Sequence, residues 1–152
     1  MESVFDVAEW FLNKEPMSHK KVQKLCYYAQ AWHYALKDEA LINCEFEAWV
    51  HGPVSRSLYN KYSGSGFSNL TPKKTYDALP FHPEAREHLE SVWETYGGHT
   101  GNALEALSHS EPPWQNARRG CENEARCSNP INHDDMKTYY RSIYIGDLET
   151  EA

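Results

Sequence analysis

The feature that most constrains this chain is the segment from His19 to Lys37. Val22, Leu25, Cys26, Ala29, Trp32 and Leu36 recur at helical spacing and form one apolar face. Pro16 breaks the chain ahead of it, and Ser18 is a candidate N-cap. A helix of that length with one continuous apolar face needs partners along its whole length, so it should anchor the core. A second stripe, Gln23, Tyr27, Gln30 and Tyr34, is spaced four, three and four and shares another face. Either its tyrosines pack at the core edge with wet hydroxyls, or they offer contact area to a partner.

The other elements follow from the same reading. Val4, Val7, Ala8 and Phe11 predict a short helix from Ser3 to Leu12. Phe46, Ala48 and Val50 alternate and predict an extended segment that stops at Gly52-Pro53. Behind that pair, Val54, Leu58, Tyr59 and Tyr62 recur helically, so Pro53 is expected in the first turn of a helix, with Trp49 and His51 at the corner. Residues 63–66, Ser-Gly-Ser-Gly, form a flexible break, and 67–81 read as irregular. Pro83 to Tyr96 predicts a helix with Leu89, Val92, Trp93 and Tyr96 inward, ended by Gly97-Gly98. Short helices are expected over Asn102–Ser108 and Trp114–Arg119, then a polar loop over 120–130. Asn132 caps a last helix expected over Asp134–Tyr144. The sum is mainly α: a single-domain irregular helical bundle with one or two short β-strands, spanning 1–146 and followed by an acidic tail, 147–152.

Charge and apolar runs narrow the function. The net charge of −7 argues against non-specific nucleic-acid binding. No apolar run reaches the ~18 residues of a membrane helix, and the first residues lack a basic-then-apolar signal pattern, so a cytoplasmic protein is expected. Its four cysteines should then be reduced. Cys121 and Cys127 have five residues between them, which is not zinc spacing. They are read as free thiols, with a metal or redox pair as the alternative.

The signals for catalysis are weak. Eight histidines are present, but no HExxH, GxSxG, P-loop or GxGxxG string. His109-Ser110-Glu111 could supply an acid and a base, or join His51 or His99 around a metal. The simpler reading has Ser108, Ser110 and Glu111 bonding backbone between two helices stiffened by Pro112-Pro113. His51 is read as holding a turn or touching a partner. Residues 97–101, Gly-Gly-His-Thr-Gly, precede a helix, so a phosphate site is imaginable there, though a helix end followed by a loop explains the string better. Lys20 and Lys24 lie one turn apart and could touch a nucleic-acid phosphate, but a solvated face is the ordinary meaning of such a pair. No cofactor is expected. Two competitors therefore stand beside a protein-binding module: a small metal-dependent hydrolase or nuclease using His51, His109 and Glu111, and a DNA-binding regulator using Lys20 and Lys24.

Four strings, in order along the chain, carry a resemblance. They are Ser18 to Trp32 (SHKKVQKLCYYAQAW), Phe46 to Val54 (FEAWVHGPV), Leu107 to Trp114 (LSHSEPPW) and Asn129-Pro130-Ile131. Together they resemble the Panacea domain, the family of SocA-like antitoxins and phage-associated proteins. The resemblance implies a largely helical domain that neutralises a protein toxin by binding it, the toxin being encoded by an adjacent gene. In at least one branch the domain is an adaptor that hands its toxin to a protease. It implies no active site. Leu25, Tyr28, Ala29, Gly52, Pro53 and Trp114 are read as fold determinants, and Tyr27, Tyr34, Trp49 and His51 as the candidate partner surface. An acidic neutraliser suits a basic toxin, because opposite potentials speed encounter. The segment 120–129 matches nothing in the family pattern.

Overall fold

A computed structural model describes residues 1–151, with side chains as far as Leu148. Helix α1 (Val4–Leu12) is capped by the Ser3 side chain. Helix α2 (His19–Lys37) starts where Ser18 Oγ accepts from the Lys21 N–H. It packs along α7 (His133–Glu151) and also touches α1, α4 (Pro83–Tyr96) and α5 (Gly101–His109). Strands β1 (Glu47–Trp49) and β2 (Gly52–Val54) form one antiparallel hairpin. Helices α3 (Arg56–Tyr62) and α6 (Pro112–Ala117) complete the bundle. The architecture is mainly α, as the periodicities predict. Among the described residues no helix is long and apolar enough to cross a membrane.

From Lys21 to Ala31 every residue of α2 is buried, so the helix is enclosed on all sides. Leu25, Tyr28 and Ala29 are fully buried, among Trp10, Phe11, Phe46 and Tyr140. Tyr28 stacks on Tyr96 with ring centroids 4.0 Å apart. A helix buried all round is normally apolar all round. This one carries Lys21, Gln23, Lys24 and Gln30 in its enclosed stretch, and each finds a partner. Lys21 donates to the carbonyl of Gly97, at the end of α4. Gln30 accepts from the N–H groups of Leu41 and Ile42 and donates to the Ile42 carbonyl, which pins the loop after α2. Leu36, expected on the apolar face, is exposed in the last turn.

Three expectations are corrected. Gly52-Pro53 does not open a helix. Val50 and His51 form a two-residue tip, Gly52 takes a positive φ of 102°, and the chain returns as β2 before Ser55 caps α3. Pro53 pairs across from Ala48 in this short hairpin. Cys121 and Cys127 are not free thiols but a disulfide, with Cα atoms 6.1 Å apart. Arg118 folds that loop by donating to the carbonyls of Glu122 and Ala125, so the cysteines meet. The last helix runs beyond Tyr144 to Glu151, so Asp147 continues it. The side chains of the acidic stretch from Glu149 on, and Ala152, lie outside the described residues.

Candidate functional site

The hairpin is held from behind by two helices. Lys24 of α2 donates to the Pro53 carbonyl at 3.0 Å. Gln23 grips Ser55 twice, accepting from its N–H at 2.8 Å and donating to its carbonyl at 3.1 Å. From α6 Trp114 Nε1 donates to the Trp49 carbonyl at 2.9 Å, and from the helix's C-terminal cap Arg118 donates to the Ala48 carbonyl at 3.0 Å. Gly52 is needed twice over: for its φ, and because a Cβ there would lie 2.7 Å from Lys24 Cε. Residues 129–131 close the outer side of β1, with Ala48 N–H bonded to the Asn129 carbonyl and Ile131 N–H to the Phe46 carbonyl.

What this frame presents is aromatic and charged. The half-buried Trp49 ring packs on Tyr59 at 4.8 Å, with the Arg56 guanidinium 5.3 Å from its centroid. Glu47 ties both together, accepting from Trp49 Nε1 at 2.8 Å and from Arg56 at 2.8 Å. Burial opposes ionisation of Glu47, but Arg56 and Trp49 prevail and hold its carboxyl below the usual range. The His51 side chain is 72% exposed, its Nδ1 3.2 Å from Glu105. Glu105 also pairs with Lys20 at 2.6 Å. Again burial pushes up, but Lys20 and His51 prevail, so the Glu105 carboxyl titrates below its ordinary value. A hollow of about 470 Å³ lies on one side of the tip, reaching Tyr59, Phe67 and Asn102. Another of about 410 Å³ lies on the other, between Trp49, Arg56 and Arg126. His51 and Val54 line both.

Trp49 and His51 thus meet on one face. Tyr27, expected beside them, is corrected: it is 1% exposed, and its hydroxyl lies 3.1 Å from that of Tyr140 inside the core. Burial raises its pKa, so the hydroxyl stays neutral. Tyr34 is half-buried and stacks on His133 at 4.6 Å, near the start of α7. The stripe read from spacing is therefore mostly an inward face. Arg56, Tyr59, Phe67 and Arg126 were missed. For Tyr59 the signal existed, since it is one of the helically spaced positions of α3, and Arg56 stands one turn before it.

Among the described residues the expected catalytic trio is only partly brought together. His51 faces Glu105, and both act electrostatically on His109, which stacks on Trp114 at 4.1 Å, but Glu111 points elsewhere. Glu111 does not bond backbone through its side chain; it accepts from the hydroxyls of Tyr28 at 2.7 Å and Tyr140 at 2.8 Å. Burial raises its pKa, and the two hydroxyls partly offset that. Among the described residues no three His, Cys, Asp or Glu side chains converge to hold a metal ion. Lys24 is 2% exposed and cannot reach a nucleic-acid phosphate, and Lys20 is engaged by Asn102 and Glu105.

Comparison with known proteins bears on the same residues. A model of the "Antitoxin SocA-like, Panacea domain" family matches residues 22–115, which include α2 from Val22 on, the hairpin and the Trp114 anchor. Antitoxin SocA of Caulobacter vibrioides (strain NA1000 / CB15N) is 32% identical over 110 residues, covering 65% of this chain. The chain spans 58% of the length of that curated relative. No solved structure matches.

Proposed function

This chain belongs to the SocA-like Panacea domain family of antitoxins, and from that premise we propose that it neutralises a protein toxin by direct contact through the hairpin-tip face. The observation that carries the reading is the division of labour at the hairpin. Gln23, Lys24, Trp114 and Arg118 fix its backbone from behind. Trp49, His51, Arg56 and Tyr59 remain at the surface between two hollows. A rigid support under exposed aromatic and arginine side chains lowers the entropic cost of docking, and those residue types dominate binding energies. The net charge of −7 draws a basic toxin at long range. The face itself is mixed in charge, carrying Arg56, paired to Glu47, with Arg126 and Glu124, so contact selects by pattern rather than by net sign. A cytoplasmic site of action and a toxin encoded by the adjacent gene are part of this reading.

The test is rescue in cells that express the adjacent gene from a tight promoter. Wild-type chain should restore growth. His51→Ala with Tyr59→Ala should abolish rescue while the circular-dichroism melt stays within a few degrees of wild type. Full rescue by the double variant would remove this face from the reading. A neighbouring gene that is harmless when expressed alone would remove the antitoxin reading itself.

A further inference from the structure

The Cys121–Cys127 disulfide lies beside the hairpin but outside the apolar core, to which neither cysteine belongs. Cys127 is 5% exposed, and Cys121 is half-buried. The two line different hollows. Cys121 borders one of about 250 Å³ with Trp114, Arg118 and Arg119. Cys127 borders the one of about 410 Å³, where Glu124, Arg126 and Ser128 share the lining with Trp49, His51 and Arg56. The loop that the bond closes is therefore one wall of the hollow beside the hairpin tip. It is also tied to the strand that carries the tip. Arg118 donates to the carbonyls of Glu122 and Ala125 in the loop and to that of Ala48 in β1. Asn129 accepts from the Ala48 N–H through its own carbonyl. Its side-chain amide donates to the Ala117 carbonyl and lies 3.5 Å from Cys121 Sγ. Both backbone groups of Ala48, the residue before Trp49, are thus held by residues that touch the disulfide loop.

We infer that Cys121–Cys127 is a reversible thiol–disulfide exchange site for a dithiol reductant, and that its oxidation state sets how firmly the hairpin-tip face is held for a partner. The second half rests on the toxin docking proposed above. A thiolate of the reductant attacks Sγ of Cys121, the more exposed cysteine. The S–S bond breaks, and Cys127 leaves as a thiolate that takes up a proton. The reductant's second thiolate then attacks the mixed disulfide, forms the reductant's own disulfide and releases Cys121, which is protonated in turn. Two electrons pass to the protein, and the two protons given up by the reductant end on the two cysteines. In a reducing compartment such a bond is a sensing element rather than a permanent staple. The cysteines stand 6 apart in sequence, so the bond closes a loop of seven residues. Closing a loop of that size favours the closed form by up to about fiftyfold. The Arg118 bonds survive reduction and keep part of that bias. A partner docked on this wall should then lose about tenfold in affinity when it must order the loop itself.

The test uses the full chain, oxidised or treated while folded with dithiothreitol. Acid quenching, unfolding, alkylation and weighing should count two thiols per chain before treatment, Cys26 and Cys44, and four after it. Amide exchange at Ala48 and over Glu124–Ser128 should be about fivefold or more faster in the reduced chain, with Leu25 and Tyr28 in α2 unchanged. Oxidised glutathione should restore both readouts. Titration with the purified product of the adjacent gene should show the reduced chain binding about tenfold more weakly. Cys121→Ser with Cys127→Ser should keep the far-ultraviolet circular dichroism of wild type and bind as the reduced chain does, with or without dithiothreitol. The inference is overturned if the folded chain keeps two thiols under dithiothreitol, if exchange at Ala48 is the same in both forms, or if both forms bind equally tightly. Binding by neither form would overturn the docking reading and the affinity half with it, while the thiol count and amide exchange decide the exchange site independently.

Discussion

Lys24 makes a sharp claim about stability. Its ammonium is buried behind the hairpin, and burial lowers its pKa from the usual 10.5 to about 7, with Glu105 partly offsetting this and Lys20 adding to it. In the unfolded chain the amine stays protonated up to about pH 10.4. Between about pH 7 and 10.5 the unfolded state therefore holds a proton that the native state has released, so stability rises with pH in that window. Below about pH 7 the native state carries the buried charge and the gain is gone. The full span corresponds to about 5 kcal/mol, and pH 7.5 to 9.5 alone to about 3 kcal/mol, at ~1.4 kcal/mol per pH unit. Lys24→Met keeps most of the side-chain volume and removes the titrating group. It also leaves the Pro53 carbonyl without its donor, a cost of about 1–3 kcal/mol that does not vary with pH. The charged and titratable neighbours Lys20, Glu105, His19 and His109 are kept in both proteins. Urea unfolding followed by tryptophan fluorescence at half-unit steps from pH 6 to 9.5 gives the two profiles. The wild type should gain on Lys24→Met by about 1.4 kcal/mol per unit above pH 7.5 and not below pH 6.5. Parallel profiles across the whole range would refute the argument, because they would mean that the amine holds its proton inside the fold.

Three further substitutions read other parts of the frame. Gly52→Ala puts a Cβ 2.7 Å from Lys24 Cε at a φ of +102°; it should cost about 2–4 kcal/mol, and calorimetry should show a melt lowered by roughly 10 °C. Gln30→Ala strips partners from two N–H groups and one carbonyl in the loop at Leu41–Ile42, a loss of about 2–4 kcal/mol, with faster amide exchange at Leu41 and Ile42 as the local signature. Glu111→Ala leaves the buried Tyr28 and Tyr140 hydroxyls without their acceptor and should cost about 2–4 kcal/mol in urea unfolding, whereas Glu111→Gln keeps an acceptor oxygen and should stay within about 1 kcal/mol of wild type.

The elements that sequence made legible are those whose ends are set by local chemistry. α2 begins at the Ser18 cap and α4 at Pro83, and both were found at their observed bounds from caps, prolines and spacing. The hairpin was not found, because Gly-Pro ahead of a helical pattern is also what a helix start looks like. What decides between them is Gly52's positive φ together with Gln23's grip on Ser55, a contact across 32 residues that no local pattern encodes. The polar stripe misled for a related reason. An amide or ammonium at helical spacing signals solvent unless a distant backbone segment uses it. Gln23, Lys24 and Gln30 are all used in that way. Spacing argued against zinc at Cys121 and Cys127 and left a metal or redox pair as the alternative to free thiols; the Arg118 contacts that fold their loop bring the two sulfurs together. Of the proposed partner face, Trp49 and His51 could be read from their position at a corner. Phe67 sits in an irregular stretch with no periodicity to mark it.

The placement of polar groups in α2 bears directly on the proposed partner recognition. A wholly apolar α2 would gain burial energy, but it would leave the carbonyl of Pro53 and the N–H of Ser55 without their side-chain partners and the hairpin free to shift on the core. Amides and an ammonium at these positions spend some stability and fix the hairpin's register, since each bond has one geometry. Lys24 illustrates the exchange: its buried amine weakens the fold near neutral pH, and in return it holds the strand that carries the tip. With the backbone set from inside, the outward residues Trp49, His51, Arg56 and Tyr59 can change without disturbing the core. Recognition is thereby separated from folding. A substitution at His51 should alter binding and spare the melt, while one at Gln23 should lower the melt and lose binding with it.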